Sequence, residues 1–374
     1  MSRHGWLEWF AGNRSRRSAA TKIERARQRS AKPMIEHLED RTVPATVVDL
    51  TTPGGVGIVN GAIFEQGSTQ PSGTGVIQSF LRIQSHGQTS VEQGYNTSVR
   101  PVQFDEKTDP NFTRSVQLSE FATVSIGGVN YRVILLDINQ KQSSSPLSLD
   151  ELRIYVSPSG TLNGYDPNTH QLAGLDPVYD LTAGGEANWV KLDAALSHGS
   201  GSSDMVLFVP ENLLTLAGAN PYVYLYSKFG VNDAADGGFE EWAPGHGPIA
   251  PPPTLSGFAY LDNNGNSVFD APPDNGIGGI AITLSGMNDL GQFVTLTTTT
   301  AADGSYFFVG FRPGTYMITE GPPPVNFFQE VSNVGMVNGS ADGFSAAPDT
   351  LTNIVVAAGQ TGTNYNFGLT TNLG

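Results

Sequence analysis

The chain is predicted to be all-β, and three observations predict it. Short alternating or β-branched runs recur from Thr46 to Leu369, turn-forming residues separate them, and helical periodicity is scarce. The 374 residues include 44 Gly and 24 Pro and no Cys, so turns abound and no disulfide can staple them. The expected order is a basic disordered arm (1–45), a β-sandwich or jelly-roll-like domain (46–242), a Pro/Gly linker (243–253) and a second, smaller β module (254–374).

The arm holds ten of the twenty Lys and Arg against five acids, 10 − 5 = +5, while the rest of the chain carries 10 − 30 = −20. A basic arm on an acidic body points to targeting or to an anionic lipid surface. Nucleic acid is not an expected partner, because the body repels the phosphates that the arm attracts. No apolar run in the arm reaches the 7–15 residues of a secretory signal, and none elsewhere reaches the ~18 residues of a membrane span. Leu38–Ala45, reading LEDRTVPA, resembles the short signature at the start of planctomycete extracellular proteins, which implies export. The product is expected to be soluble or peripherally attached.

In the first β domain GVIQSFLRIQ, SVQLSEFATVSI, VNYRVILLDIN, LDELRIYVS, NWVKLD, DMVLFVP and YVYLYSKFG read as strands, with a helical turn near Pro210–Ala217. Seven or more short strands argue for a sandwich or jelly roll. After Trp242, APGHGPIAPPPT reads as a linker that neither a ladder nor a helix would tolerate.

Catalytic signals are missing. The six histidines (His4, His37, His86, His170, His198 and His246) are scattered, no nucleophile elbow or phosphate loop occurs, and no thiol exists. The chain is therefore expected not to be an enzyme. Asp150 and Glu151, with Asp137 upstream, lie beside predicted strands and Glu240 and Glu241 sit next to Trp242; they could form a glycosidase acid–base pair or ligate calcium, but solvated carboxylates are the favoured reading. Tyr222, Tyr224 and Tyr226 alternate and so share one face. Such a row could stack on sugar rings, which makes glycan binding or processing by residues 46–242 the alternative function. Because Val223 and Leu225 are apolar as well, a buried strand is favoured.

The stretch YLDNNGNSVFDAPPDNGIGGI, from Tyr260 to Ile280, carries the most chemistry. Asp262, Asn264, Asn266 and Asp270 fall at positions one, three, five and nine of the spacing that wraps Ca²⁺, with the Val268 carbonyl at position seven. Ser267 and Pro273 stand where a helix–loop–helix calcium loop has Gly and Glu, and Asp274 follows one residue late. No amphipathic helix flanks the loop, so a calcium loop within a β domain fits better. The runs GGIAITLSG, QFVTLTTTT, AADGSYFFVGFRPGTYMITE, NIVVAAG and TNYNFGL after it read as a meander of short strands.

The ordered pieces GFAYLDNNGN, NGIGGI, TTTAADGSYFF, RPGTY and NYNFG resemble the B-domain family of serine-aspartate-repeat surface proteins (SdrD B-like) over about Thr254–Leu369. The resemblance implies a calcium-binding Ig-like β-sandwich related to collagen-adhesin B-type domains. It implies Ca²⁺ ligation by Asp262, Asn264, Asn266, the Val268 carbonyl and Asp270, with Asp274 near the family's last acidic ligand. Asp303 matches a second acidic turn of the family, though Asp303-Gly304 also reads as an ordinary hairpin turn. Asp342 and Asp349 fall where further ligands occur. Arg312 is the only cationic residue from Thr254 onward, so the Lys–Asn isopeptide bond of many adhesin modules is excluded. The expectation is an extracellular or cell-surface spacer or adhesive unit, rigidified by Ca²⁺, whose partners are calcium and a surface polysaccharide or another extracellular protein.

Overall fold

The computed structural model describes residues 45–371, apart from 68–77, 86–88, 142, 197–202, 217–218 and 248. The basic arm, and nearly all of the Leu38–Ala45 signature, lies outside the described residues. Residues 43–374 form one compact unit.

Residues 47–244 build two seven-stranded sheets. The first runs in the order Val47–Asp49, Trp189–Asp193, Pro146–Ser157, Tyr222–Phe229, Glu92–Tyr95. The second runs Val56–Val59, Ala62–Gln66, Met205–Pro210, Val129–Asp137, Glu240–Pro244, Leu81–Ile83. Side chains alternate along each strand, so one set from each sheet meets in the middle. Leu147, Leu149, Ile154 and Leu225 of the first sheet share a buried core with Phe64, Ile134, Leu207 and Trp242 of the second. The outer faces are covered too. Val133, Leu135, Val206 and Phe208 form a cluster on one, and Tyr95, Tyr155, Tyr224 and Tyr226 form another on the other. Double-sided burial is why these strands read as near-continuous apolar runs.

Two boundaries differ from the expectation. Ala243 and Pro244, assigned to the linker, belong to the strand Glu240–Pro244, and the Gly245 N–H still donates to the Val133 carbonyl at 2.9 Å. Pro244 is tolerated because it is the last residue of its strand. SVQLSEFATVSI is split into Val116–Gln117 and Thr123–Ile126 by a 3₁₀ turn at Leu118–Glu120. Glu120 reaches back to accept the Gln117 N–H at 2.9 Å, and this bond stops the strand. Near Pro210, one short α-helix spans Glu211–Leu214.

Residues 254–370 form sheets of their own. An eight-stranded sheet is organised around Thr254–Leu261, and a five-stranded sheet runs Phe293–Thr299, Ala281–Asn288, Gly314–Glu320, Thr350–Val356, Phe344–Ala347. Leu255, Ala259, Ile282, Leu284, Tyr316, Ile318, Ile354 and Phe367 fill the space between them. The meander expectation holds only for the hairpin of Ala281–Asn288 with Phe293–Thr299: Ser305–Phe308 leaves for the other sheet, and Gly314–Glu320 returns to the far side of Ala281–Asn288. The expectation fails for Thr254–Leu261, which pairs parallel with Thr361–Thr363 and Asn366–Thr370.

The two sandwiches abut at a junction lined by glycines. Arg312 donates to Asp289 from Nε (2.8 Å) and Nη2 (2.9 Å), and its Nη1 lies 4.0 Å from Glu65 of the N-terminal sandwich. It packs over Gly54, where a Cβ would sit 2.2 Å from Arg312 Cδ, so only glycine admits that approach. Burial pushes Glu65 up to about 7, against the pull of Arg312.

Candidate metal centre

The strand Thr254–Leu261 ends where the Asp262 N–H donates to the Leu369 carbonyl at 2.9 Å, and the chain then leaves the sheet. Asp262 is buried and organises the loop from Asn263 onward. Its Oδ1 accepts the N–H of Gly265 (2.7 Å) and Asn266 (3.3 Å), and its Oδ2 accepts the N–H of Ser267 (2.7 Å). Gly265 and Ser267 both take positive φ, 69° and 61°. Ser267 thus adopts at position six the left-handed conformation that Gly would supply. The Asp262 bond holds its N–H, and Asn333 Nδ2 donates to its carbonyl at 2.8 Å. The departure from Gly therefore leaves the loop's path intact, at the strain cost of a non-glycine residue there.

Asn264, Asn266 and Asp270 converge. Asn264 Nδ2 lies 3.3 and 3.4 Å from the two Asp270 carboxylate oxygens, and Asn266 Nδ2 lies 3.4 and 3.5 Å from them. Both Asn oxygens are used locally, Asn264 Oδ1 by the Asn266 N–H (3.0 Å) and Asn266 Oδ1 by the Val268 N–H (2.8 Å). The Val268 side chain is exposed. Phe269, one residue on, anchors the loop to its strand, with its ring 4.7 Å from Phe258 and 5.1 Å from Tyr260. Asp274 is folded back to the loop's base, where Oδ1 accepts the Asn263 N–H (3.0 Å) and Oδ2 the Asp270 N–H (3.1 Å). The extra residue before it is absorbed by the turn from Ala271 to Pro273, whose Pro273 carbonyl accepts from Asn263 Nδ2 at 2.9 Å.

The site is electronegative. Burial first, then the carboxylates of Asp262, Asp274, Glu330 and Asp270, push the Tyr260 phenol far above its ordinary range. Among the described residues no Lys or Arg forms an ion pair with Asp262, Asp270 or Asp274. Nor do three Asp, Glu, His or Cys side chains meet there as a ready-made metal cage; the set is mixed carboxylate and amide. Such hard oxygen donors suit Ca²⁺, and an Asn side chain carries an acceptor oxygen beside its donor nitrogen. Sequence reasoning missed Phe269, Glu330 and Asn333. The last two arrive from the strand Phe328–Asn333, and no local pattern connects that strand to the loop.

The remaining candidates are structural. Asp303 Oδ1 accepts from the Ser305 N–H (3.0 Å) and Oγ (2.6 Å) beside Gly304 at φ 80°, an ordinary turn. Asp342 accepts the Val355 N–H at 2.7 Å, and Asp349 the Thr350 hydroxyl at 2.9 Å. The carboxylates expected to be solvated are not: Asp150, Glu240 and Glu241 are buried. Asp150 collects the Val231 N–H and the Ser148 hydroxyl, Glu241 pairs with Arg82, and Glu151 pairs with Arg153 and Lys228. Burial, then the neighbouring carboxylates of Asp204 and Glu241, pushes Asp137 up to about 8. Tyr222, Tyr224 and Tyr226 do share a face, but Phe104 and the small sheet of Tyr165–Asp166 with Gln171–Leu172 roof it. Tyr165 stacks on Tyr226 at 4.0 Å, and Tyr224 and Tyr226 are buried, so their rings are not open to a sugar.

Among solved structures the chain is similar to BcpA, the major pilin subunit of Bacillus cereus (9% identity, 83% of this chain and 72% of that one, TM-score 0.21), and to the pilus 2b backbone protein of group B streptococcus (12% identity, 78% and 97%, TM-score 0.21). It is also similar to the pilus adhesin RrgA of Streptococcus pneumoniae (12% identity, 59% and 32%, TM-score 0.19). TM-scores this low do not establish a shared fold. Among curated proteins no relative matches. A match that covers the loop itself comes from the family model of the SdrD B-like domain, which spans residues 254–369. That segment has the ordered motifs and a two-sheet architecture, and it is what the SdrD B-like domain model matches.

Proposed function

We infer that the protein is a non-catalytic component of the cell surface or extracellular space, in which a calcium-stabilised SdrD B-like domain serves as a rigid spacer or adhesive unit. The observation that carries this reading is the convergence of Asn264 and Asn266 on Asp270 above the buried Asp262, in a negative field that no cationic side chain neutralises among the described residues. Asp262, Asn264, Asn266, Asp270 and the Val268 carbonyl would hold the ion. Asp274 closes the loop on its backbone and adds charge at its base. Ca²⁺ would supply the missing positive charge, and because the ion binds only the folded loop its binding energy adds to stability. The chain's own residues already set the loop's path, so the ion stiffens a loop that is largely formed.

The test is calorimetric titration of the purified protein with CaCl₂, alongside melting with and without chelator. A binding isotherm and a chelator-sensitive melt, both lost in Asp262→Ala, are expected. Calcium-independent melting of the wild type would sink the calcium mechanism.

A further inference from the structure

The strand Phe293–Thr299 is the longest among the described residues that has a single partner, Ala281–Asn288. Other outer strands of this sandwich are blunted. Phe328–Asn333 and Phe344–Ala347 both carry a register shift, and the first also carries Glu330. Bulges and charges are the usual protection of a sheet edge. Phe293–Thr299 has neither, and no charged residue occurs between Asp289 and Asp303.

The phase of the ladder tells which backbone groups face outward. The Asn288 N–H donates to the Gln292 carbonyl (2.9 Å) and the Thr300 N–H to the Ile280 carbonyl (2.9 Å). Even-numbered residues of the strand therefore bond inward, and Phe293, Thr295, Thr297 and Thr299 turn N–H and C=O to the open edge. The same four side chains are exposed, Phe293 at 71%.

We propose that this edge pairs with the same edge of a second copy of the chain, antiparallel about a two-fold axis at Leu296, joining two five-stranded sheets into one. In that register Phe293 lies opposite Thr299 of the other copy and Thr295 opposite Thr297, so every outward N–H meets an outward C=O. The side chains agree. Thr297 already pairs with Thr283 through their hydroxyls at 3.2 Å, and Thr295 of the second copy extends that ladder. Charge favours the geometry: two bodies of net −20 repel over most approaches, and this edge brings together the stretch 290–302, which carries no charge. A strand of seven residues buries less than the ~800 Å² per partner of a stable dimer, so the pairing is reversible and dependent on concentration.

Sedimentation of the full chain from micromolar to millimolar concentration tests this. The wild type is expected to pass from monomer to dimer. Thr295→Lys/Thr297→Lys sets like charges directly opposite each other and is expected to weaken association about tenfold or more. Thr297→Pro removes an outward N–H while leaving the inward ladder intact, and is expected to act in the same direction. Val325→Lys, at another exposed apolar position, is expected to change nothing. A wild type that stays monomeric overturns the proposal, as does a dimer that both edge variants preserve. A monomeric chain that binds a synthetic Phe293–Thr299 peptide also overturns it, and assigns the edge to a strand from a different protein.

Discussion

The two sandwiches neutralise their acids in opposite ways. In residues 47–244, buried and half-buried arginines sit among carboxylates: Arg82 with Glu241, Arg132 with Glu211, and Arg153 with both Glu151 and Asp180. In residues 254–370 one arginine faces nine acids (Asp262, Asp270, Asp274, Asp289, Asp303, Glu320, Glu330, Asp342 and Asp349), and it is spent on Asp289 at the junction. Asp303, Asp342 and Asp349 accept backbone N–H or hydroxyl groups, Asp262, Asp270 and Asp274 cluster at the loop, and Glu320 is buried. One sandwich carries its own counter-charges; the other has a single arginine for nine acids.

The sharpest break of that contrast is Arg153→Ala. Its side chain is 1% exposed, so Asp180 would lose its partner and Glu151 one of its two; the expected loss is about 3–5 kcal/mol, read by denaturant unfolding. Titration comes next. Glu92 is buried, and burial pushes it up to about 7. Between the ordinary carboxylate range and pH 7 the folded form then holds a proton that the unfolded chain has released, so stability falls as pH rises through that window, by roughly 3 kcal/mol at most. Glu65, about 7, and Asp137, about 8, act in the same direction and also lie in the N-terminal sandwich, against Glu320, about 7, in the other. Unfolding at pH 5 and pH 8 should therefore differ, and Glu92→Gln should flatten the slope. An unchanged slope would mean that Glu92 is charged in the folded protein.

Asp262→Ala should cost about 1–3 kcal/mol even in chelator, because three loop N–H groups lose their acceptor. The smallest effect sharpens the comparison most. At ~1 mM Ca²⁺, a site with a dissociation constant of about 10⁻⁴–10⁻³ M would add about 0.4–1.4 kcal/mol. Arg153→Ala, measured with and without chelator, should retain that increment in full, whereas Asp262→Ala should lose it.

Alternation made most strands legible, and the loop's oxygen spacing was visible as a local pattern. The features that stayed hidden were long-range. Nothing near Glu240 or Glu241 announces that Arg82, far earlier in the chain, will bury with Glu241. The tyrosine row was correctly given one face, but the roof over it comes from Phe104, in a loop, and Tyr165, in the two-residue strand Tyr165–Asp166, and neither carries a periodic signal. The Gly expected at position six was a local rule overridden by tertiary bonding, since Asp262 and Asn333 hold Ser267 where glycine would ordinarily be needed.

The parallel pairing of Thr254–Leu261 with Asn366–Thr370 has a mechanical consequence. Tension applied through Thr254 and Thr370 pulls the entry and exit strands of the domain past each other lengthwise, so the ladder from Ala259–Phe367 to Leu261–Leu369 is loaded in shear, all bonds together, instead of being peeled one by one. Asp262 hydrogen-bonds to Leu369 at the end of that ladder, which places the loop at the grip. Resistance to pulling is governed by the unfolding rate, and an ion that stiffened this grip would act on that rate directly.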